Sequence, residues 1–194
     1  MRPALYTILF SNRRKTVAQE IAKGRDIATL TLGSLIIPDK LVLEGILVKS
    51  YADVWVEIAT QLGADWSLAF QIAPEKWEEI IAGAFNKSGY SVTLTPRSGD
   101  LGRDVIAVKD GVGSMRILGS VKAYAPGHLV DRAHVHEMLG VVSGDQKATK
   151  GIITTTSDFA PKLLTDEGLA RSIPYRLELM NGAKLQEWLS GLVK

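Results

Sequence analysis

Three observations predict an α/β fold, a mixed sheet flanked by helices, for this chain of 194 residues. From Pro74 onward, helical and strand-like spacing follow one another as helix, three strands, helix, strand, helix, strand, helix. Trp77, Ile80, Ile81, Ala84 and Phe85 fall at i, i+3, i+4, i+7 and i+8, the stripe of a helix facing a core. Asp110-Gly111 and Gly113-Ser114 punctuate two short apolar runs, the signature of a reversal between neighbouring strands.

The remaining elements follow in order. Pro74 and Glu75 suit a first helical turn, and Gly89 ends that helix. Tyr90 to Leu94 alternates as a strand, Pro96 to Gly102 is a loop, and Asp104–Val108 and Met115–Val121 are strands. After Pro126-Gly127 comes a helix over Asp131–Val142, then a buried strand at Gly151–Thr155. Ser157 or Asp158 is expected to cap a helix with Pro161 in its first turn. Tyr175–Leu179 is a strand, Asn181-Gly182 a turn, and Leu185–Leu192 a closing amphipathic helix. Residues 1–71 read as a small N-terminal α+β domain apart from residues 74–194. Tyr6 to Phe10 suits a strand and Thr16 to Lys23 a helix. Leu35 to Val48 suits strands or turns, and Ser50 to Leu62 is a helix ended by Gly63.

Composition bounds the function classes. The hydrophobic fraction of 46% and charged fraction of 23% belong to a globular protein. No apolar run approaches the roughly 18–20 residues needed to span a bilayer. The apolar opening precedes its positive charges, the reverse of a signal peptide, so a cytoplasmic location and no membrane partner are expected. With no cysteine, disulfides, thiolate zinc sites and cysteine nucleophiles are excluded. The net charge of +2 announces no nucleic-acid binder, so any DNA affinity must come from a local arrangement of charge. There is no G-x-x-x-x-G-K-[ST] loop and no G-x-S-x-G elbow. His134 and His136, two apart on a helix, point about 200° from each other and do not share an ion.

The chemistry concentrates between Ser98 and Lys122. A Gly-rich turn leads into a strand that starts at Asp104, and after the reversal the next strand ends at Lys122. Neighbouring strands would bring that carboxylate and that ammonium to one end of a sheet, a compact arrangement for metal-assisted hydrolysis of a phosphodiester. Each residue also has a plain structural reading. Asp104 suits a turn aspartate, Lys122 a strand-end lysine reaching solvent, and Glu78 a first-turn acid favoured by the helix dipole. Helical geometry sets Glu78 at the border of the apolar stripe and Glu79 on the solvated side.

An ordered set of motifs resembles a known family. It comprises Trp77-Glu78, Gly89-Tyr90, Ser98-Gly99-Asp100-Leu101-Gly102-Arg103-Asp104 and Lys122. It continues through Met138-Leu139-Gly140, the run from Lys150 to Thr156 with Phe159-Ala160, and Leu179 to Leu185. Together these resemble the Mrr-type branch of the PD-(D/E)xK nuclease superfamily over residues 74–192. The resemblance implies a restriction-endonuclease-like fold and cleavage of double-stranded DNA, often modified foreign DNA, dependent on Mg²⁺ or Mn²⁺. Asp104 would be the principal metal ligand, with the Val121 carbonyl and Glu78 as further ligands. Lys122 would orient the attacking water or offset charge at the phosphate. Family members usually carry Glu or Gln two residues before the lysine. Here that position is Ser120, a shorter and poorer ligand that reaches an ion only through water. Arg97, Arg103, Lys150 and Thr155 are candidate phosphate contacts, although a solvated surface or a strand end accounts for them as well. Cutting both strands implies a homodimer. The rival readings are a DNA-binding or assembly module that kept the fold after losing a ligand, and a repair or recombination nuclease.

Overall fold

A computed structural model describes residues 26–96, 102–163 and 165–194. In chain order the elements are α1 (Ile27–Leu30), β1 (Ile36–Val42), β2 (Gly45–Tyr51), α2 (Asp53–Ala64) and α3 (Pro74–Lys87). Next come β3 (Ser91–Leu94), β4 (Val105–Lys109), β5 (Met115–Lys122), β6 (Leu129–Val130) and α4 (Arg132–Gly144). The chain closes with β7 (Lys150–Thr155), β8 (Asp158–Phe159), α5 (Glu167–Ala170), β9 (Leu177–Met180) and α6 (Gly182–Leu192). Seven strands form one sheet in the order β1-β2-β3-β4-β5-β7-β9. Neighbours from β1 to β5 are antiparallel, whereas β5-β7 and β7-β9 are parallel. Short reversals join β1 to β2 and β4 to β5, α2 and α3 lie between the antiparallel β2 and β3, and α4 supplies the crossover between the parallel β5 and β7.

Alternation along the strands divides the interior in two. Val105 and Ala107 of β4 and Ile117 of β5 join the core beneath α3, where Trp77, Ile80, Ile81, Ala84 and Phe85 are buried as their spacing requires. Ile106 and Leu118, one residue out of step, join a second core with Val135, Met138 and Val142 of α4.

The boundary expected between residues 71 and 74 divides neither sheet nor core. β2 pairs directly with β3 through Ile46↔Leu94, Leu47↔Thr93 and Val48↔Val92. The first core draws on Leu35, Trp55, Ile58 and Leu62 together with Ile80, Val92 and Leu189. Trp55 is fully buried, and its indole N–H donates to the Ile80 carbonyl at 2.9 Å. Within the stretch from Leu35 to Val48, β2 takes the free edge of β3 and Leu35, Ile36 and Val48 are buried, while Leu41 and Leu43 stay exposed. Close approach there requires Gly45, whose φ is +145° and whose Cβ, if present, would collide with the Leu94 carbonyl. Residues 66–73 are also no solvated linker, since Trp66–Gln71 forms a 3₁₀ turn in which Ala69 is buried and the following Ile72 is buried too. Glu79, expected in solvent, accepts from the Leu35 N–H at 2.6 Å and from the Lys76 ammonium at 2.7 Å. It thereby ties the hairpin to α3.

Local expectations differ in three further places. Ser50 and Tyr51 end β2, so the following helix starts at Asp53. Asp158 and Phe159 form the short strand β8 parallel to β6, and Pro161 opens a three-residue 3₁₀ turn in place of a helix. Gly182 begins α6 because the Asn181 side chain caps it, accepting from the Lys184 N–H. The strand and helix expected at Tyr6–Phe10 and Thr16–Lys23 lie outside the described residues.

Trp55→Ala should lower stability by about 3–5 kcal/mol, the usual range for emptying a buried tryptophan site. Because the first core is shared, urea unfolding of that variant should remain a single transition. A biphasic curve with the N-terminal part melting alone would restore two independent units.

Candidate active site

β4 and β5 part company at Asp104. The register pairs Val105 with Gly119, yet the Asp104 N–H also donates to the Gly119 carbonyl at 2.8 Å. Two consecutive residues of one strand therefore face one residue of the other, the count of a β-bulge, which re-aims the side chain it carries. The Asp104 carboxylate is turned into the opening and accepts from the Val121 N–H at 2.6 Å. It takes the place of the next rung of the ladder. Both backbone groups of a strand residue point to the same neighbour, so the Val121 carbonyl faces the same opening. On the other side Asp104 stays in register with β3, its carbonyl accepting from the Thr95 N–H at 3.1 Å.

Lys122 ends β5 one residue beyond Val121. Val121 packs on the first core, so alternation turns Ser120 and Lys122 to the face of α4. Lys122 is half-buried, and its ammonium has no hydrogen-bond or ion-pair partner among the described residues. Ser120 is only 5% exposed, and across β7 its neighbour is Ile153. Glu78 stands on α3, over the opposite face, at the same end of the sheet. It lines a depression with Glu75, Leu94, Thr95 and Pro96. The structure thus gathers Asp104, Ser120, Val121 and Lys122 at one sheet end and brings Glu78 to that end from the other side. Among the described residues no three His, Asp or Glu side chains form a ready cation cage.

The expected phosphate contacts do not share one surface. Lys150 pairs with Ile117 at the opposite end of β7 and is bonded to Glu178 at 2.5 Å. Five residue steps along the strand separate it from Thr155, roughly 16 Å. Thr155 does lie opposite Lys122, but it is 1% exposed and its hydroxyl oxygen accepts from the Ser157 N–H. Arg97 lies outside the described residues. Arg103 belongs to an ion-pair network that no spacing announces. It contacts Asp145 at 3.1 Å and Glu44 at 3.4 Å, and Arg116 contacts the same two acids at 3.0 and 2.6 Å. Burial alone would raise the pKa of Asp145. The Lys147 N–H and the Arg116 and Arg103 guanidinium groups outweigh it and hold the carboxyl below its ordinary value.

The histidines are engaged separately. The Nδ1 of His134 is 2.8 Å from Asp131, the N-cap of α4, and its Nε2 is 3.2 Å from the Tyr124 hydroxyl. His136 accepts from Arg132 at 2.9 Å.

A mixed α/β sheet thus carries a carboxylate and a lysine on adjoining strands at one end. Residues 70–189 match the restriction endonuclease family Mrr_cat, and the chain belongs to that family. Among solved structures it is similar to the MspJI restriction endonuclease in complex with a 27-mer oligonucleotide, at 19% identity and a TM-score of 0.45. That similarity covers 72% of this chain and 32% of the other. It is also similar to the DNA modification-dependent restriction endonuclease AspBHI, at 15% identity and a TM-score of 0.48, covering 80% of this chain and 40% of that one. The chain therefore spans about a third to two fifths of these proteins' lengths. No curated protein matches. No helix among the described residues is long and apolar enough to cross a membrane.

The Asp145 carboxylate has a folded pKa below its unfolded one, so its stabilisation is complete above the unfolded value and fades as pH falls through the folded value. The melting temperature should therefore drop below about pH 4. Asp145→Asn should lower it at neutral pH and flatten that acid limb. An acid limb unchanged by the substitution would show that other carboxylates govern it.

Proposed function

We propose that the chain is a divalent-metal-dependent DNA endonuclease of the restriction type, hydrolysing phosphodiester bonds of duplex DNA with Asp104 and Lys122 at its centre. The observation that carries this reading is the Asp104 carboxylate held in the β4–β5 opening beside the end of β5, in a chain of this family. The donors there are all oxygen, as hard cations require. Asp104 and the Val121 carbonyl would hold the ion, with Glu78 approaching around the sheet end. A bound Mg²⁺ or Mn²⁺ supplies charge neutralisation at the phosphate and a more acidic water. The hydrogen bond from the Val121 N–H sets the orientation of the Asp104 carboxylate. Lys122, its ammonium without a partner among the described residues, is available to orient the attacking water or to offset charge developing on the phosphate. Ser120 faces the second core and gives the ion no direct ligand, so affinity rests on fewer groups than the family norm. Duplex cleavage calls for two copies facing opposite strands, acting on DNA in the cytoplasm, with modified foreign DNA as the substrate. Arg103 is retained as a phosphate contact; Lys150 and Thr155 are not, given where they lie.

Plasmid DNA incubated with Mg²⁺ or Mn²⁺ should be nicked or linearised, and chelation should stop it. Asp104→Asn and Lys122→Gln should each reduce cleavage at least about a hundredfold, the scale on which loss of one electrostatic stabiliser acts. Undiminished cleavage by both variants would refute the site. The buried serine favours a second reading, a nuclease-fold DNA-binding module without catalysis. Ser120→Gln distinguishes the two. It restores a long oxygen ligand at a cost of about 1–3 kcal/mol in overpacking. In an active enzyme it should lower the metal concentration needed for half-maximal rate. DNA binding with no cleavage by either form at any metal concentration would establish the module.

A further inference from the structure

The network of Arg103, Arg116, Glu44 and Asp145 borders an open depression of about 660 Å³ on the face of the sheet beside α4, with Gln146 and Lys147 at its rim. Its two acids are held unequally. Asp145 also accepts from the Lys147 N–H at 2.9 Å and is 13% exposed. Among the described residues Glu44 is bound only through the two guanidinium groups, and it is 37% exposed. It sits on the two-residue turn between β1 and β2, so its withdrawal would break no backbone pair. Arg116 grips it as a fork, through Nη1 at 3.3 Å and Nη2 at 2.6 Å. The Nε of Arg103 is buried and has no partner among the described residues.

We propose that Arg103 and Arg116 form a binding site for a DNA backbone phosphate flanking the scissile one, and that Glu44 occupies it when no nucleic acid is bound. A guanidinium fork matches the two oxygens of a carboxylate and the two free oxygens of a phosphodiester alike. Both are monoanions, so exchange leaves the charge count of the network unchanged, with Asp145 remaining in place. Arg103 adjoins Asp104 in the chain, about 3.8 Å between their Cα atoms, so a strand whose scissile phosphate meets Asp104 passes within reach of its guanidinium. The occupying acid comes from a hairpin outside residues 70–189, which gives that hairpin a role in DNA binding. The proposal rests on the nuclease reading above.

The test is binding of a fluorescent duplex by the full chain in chelator, where cleavage does not interfere, across a range of salt. Glu44→Gln should bind about 3–10-fold more tightly at low salt, because removing one competing charge acts on this scale. Arg116→Gln should bind about tenfold more weakly, with a plot of log K against log salt shallower by about one unit. In the Arg116→Gln background, Glu44→Gln should have no effect. Melting temperatures accompany each variant. Should Glu44→Gln prove unfolded, Glu44→Asp, a methylene shorter with the charge kept, is read in its place and should also tighten binding. Equal or weaker binding by a folded Glu44 variant, or an unchanged salt slope in Arg116→Gln, overturns the proposal. Should the parent chain bind and cut DNA while these variants behave as it does, only the phosphate site falls; should it bind no duplex at any salt, the nuclease reading falls with it.

Discussion

The end of the β4–β5 ladder is the constraint on which the site depends. Up to Val105 and Gly119 the two strands exchange backbone hydrogen bonds, and one step later a side chain takes over. By bonding the Val121 N–H, Asp104 keeps that donor satisfied while the strands separate, which a splaying sheet end would otherwise leave to water. The same bond fixes the carboxylate beside the Val121 carbonyl and next to Lys122. The hydrogen bond that ends the ladder also orients the acid.

The sheet carries that opening because it is buttressed on both faces. α3 covers one side with Trp77, Ile80 and Ile81, and α4 covers the other with Val135, Met138 and Val142. The N-terminal hairpin extends the sheet beyond β3 and brings Trp55 and Leu62 under α3. Its turn also delivers Glu44 across the opposite face to Arg103 and Arg116. A segment outside the family match thus contributes to the first core and to the charge balance beside the site. Arg103 and Arg116, their side chains 15% and 13% exposed, are held there between Glu44 and Asp145, which balance their charge.

Much of the fold was legible in the chain. The stripe from Trp77 to Phe85 and the strands at Tyr90–Leu94, Asp104–Val108 and Met115–Val121 could be read because hydrophobic period reports directly which face is buried. The ends were less legible. Gly182 reads as a turn residue until Asn181 is seen capping a helix, and Pro161 suits a helix start or a 3₁₀ turn equally well. Residues 26–71 share the sheet and first core with the rest of the chain, and the pairing of β2 with β3 depends on an edge that no local signal shows. The pairing of Asp104 with the end of β5 followed from strand order, but the bulge that aims its carboxylate did not, since a bulge is one residue of register in the partner strand.

What the sequence determined by itself is the series of elements, the motifs that place the chain among restriction endonucleases, and the chemical types available at Asp104, Ser120 and Lys122. These are local properties of spacing and composition. Only the tertiary structure decided that Ser120 turns to the second core, that Lys150 lies at the wrong end of the sheet, and that Glu44 meets Arg116 from 72 residues away in the chain. Contacts of that separation are chosen by which faces and edges bury together, and no window along the chain contains both partners.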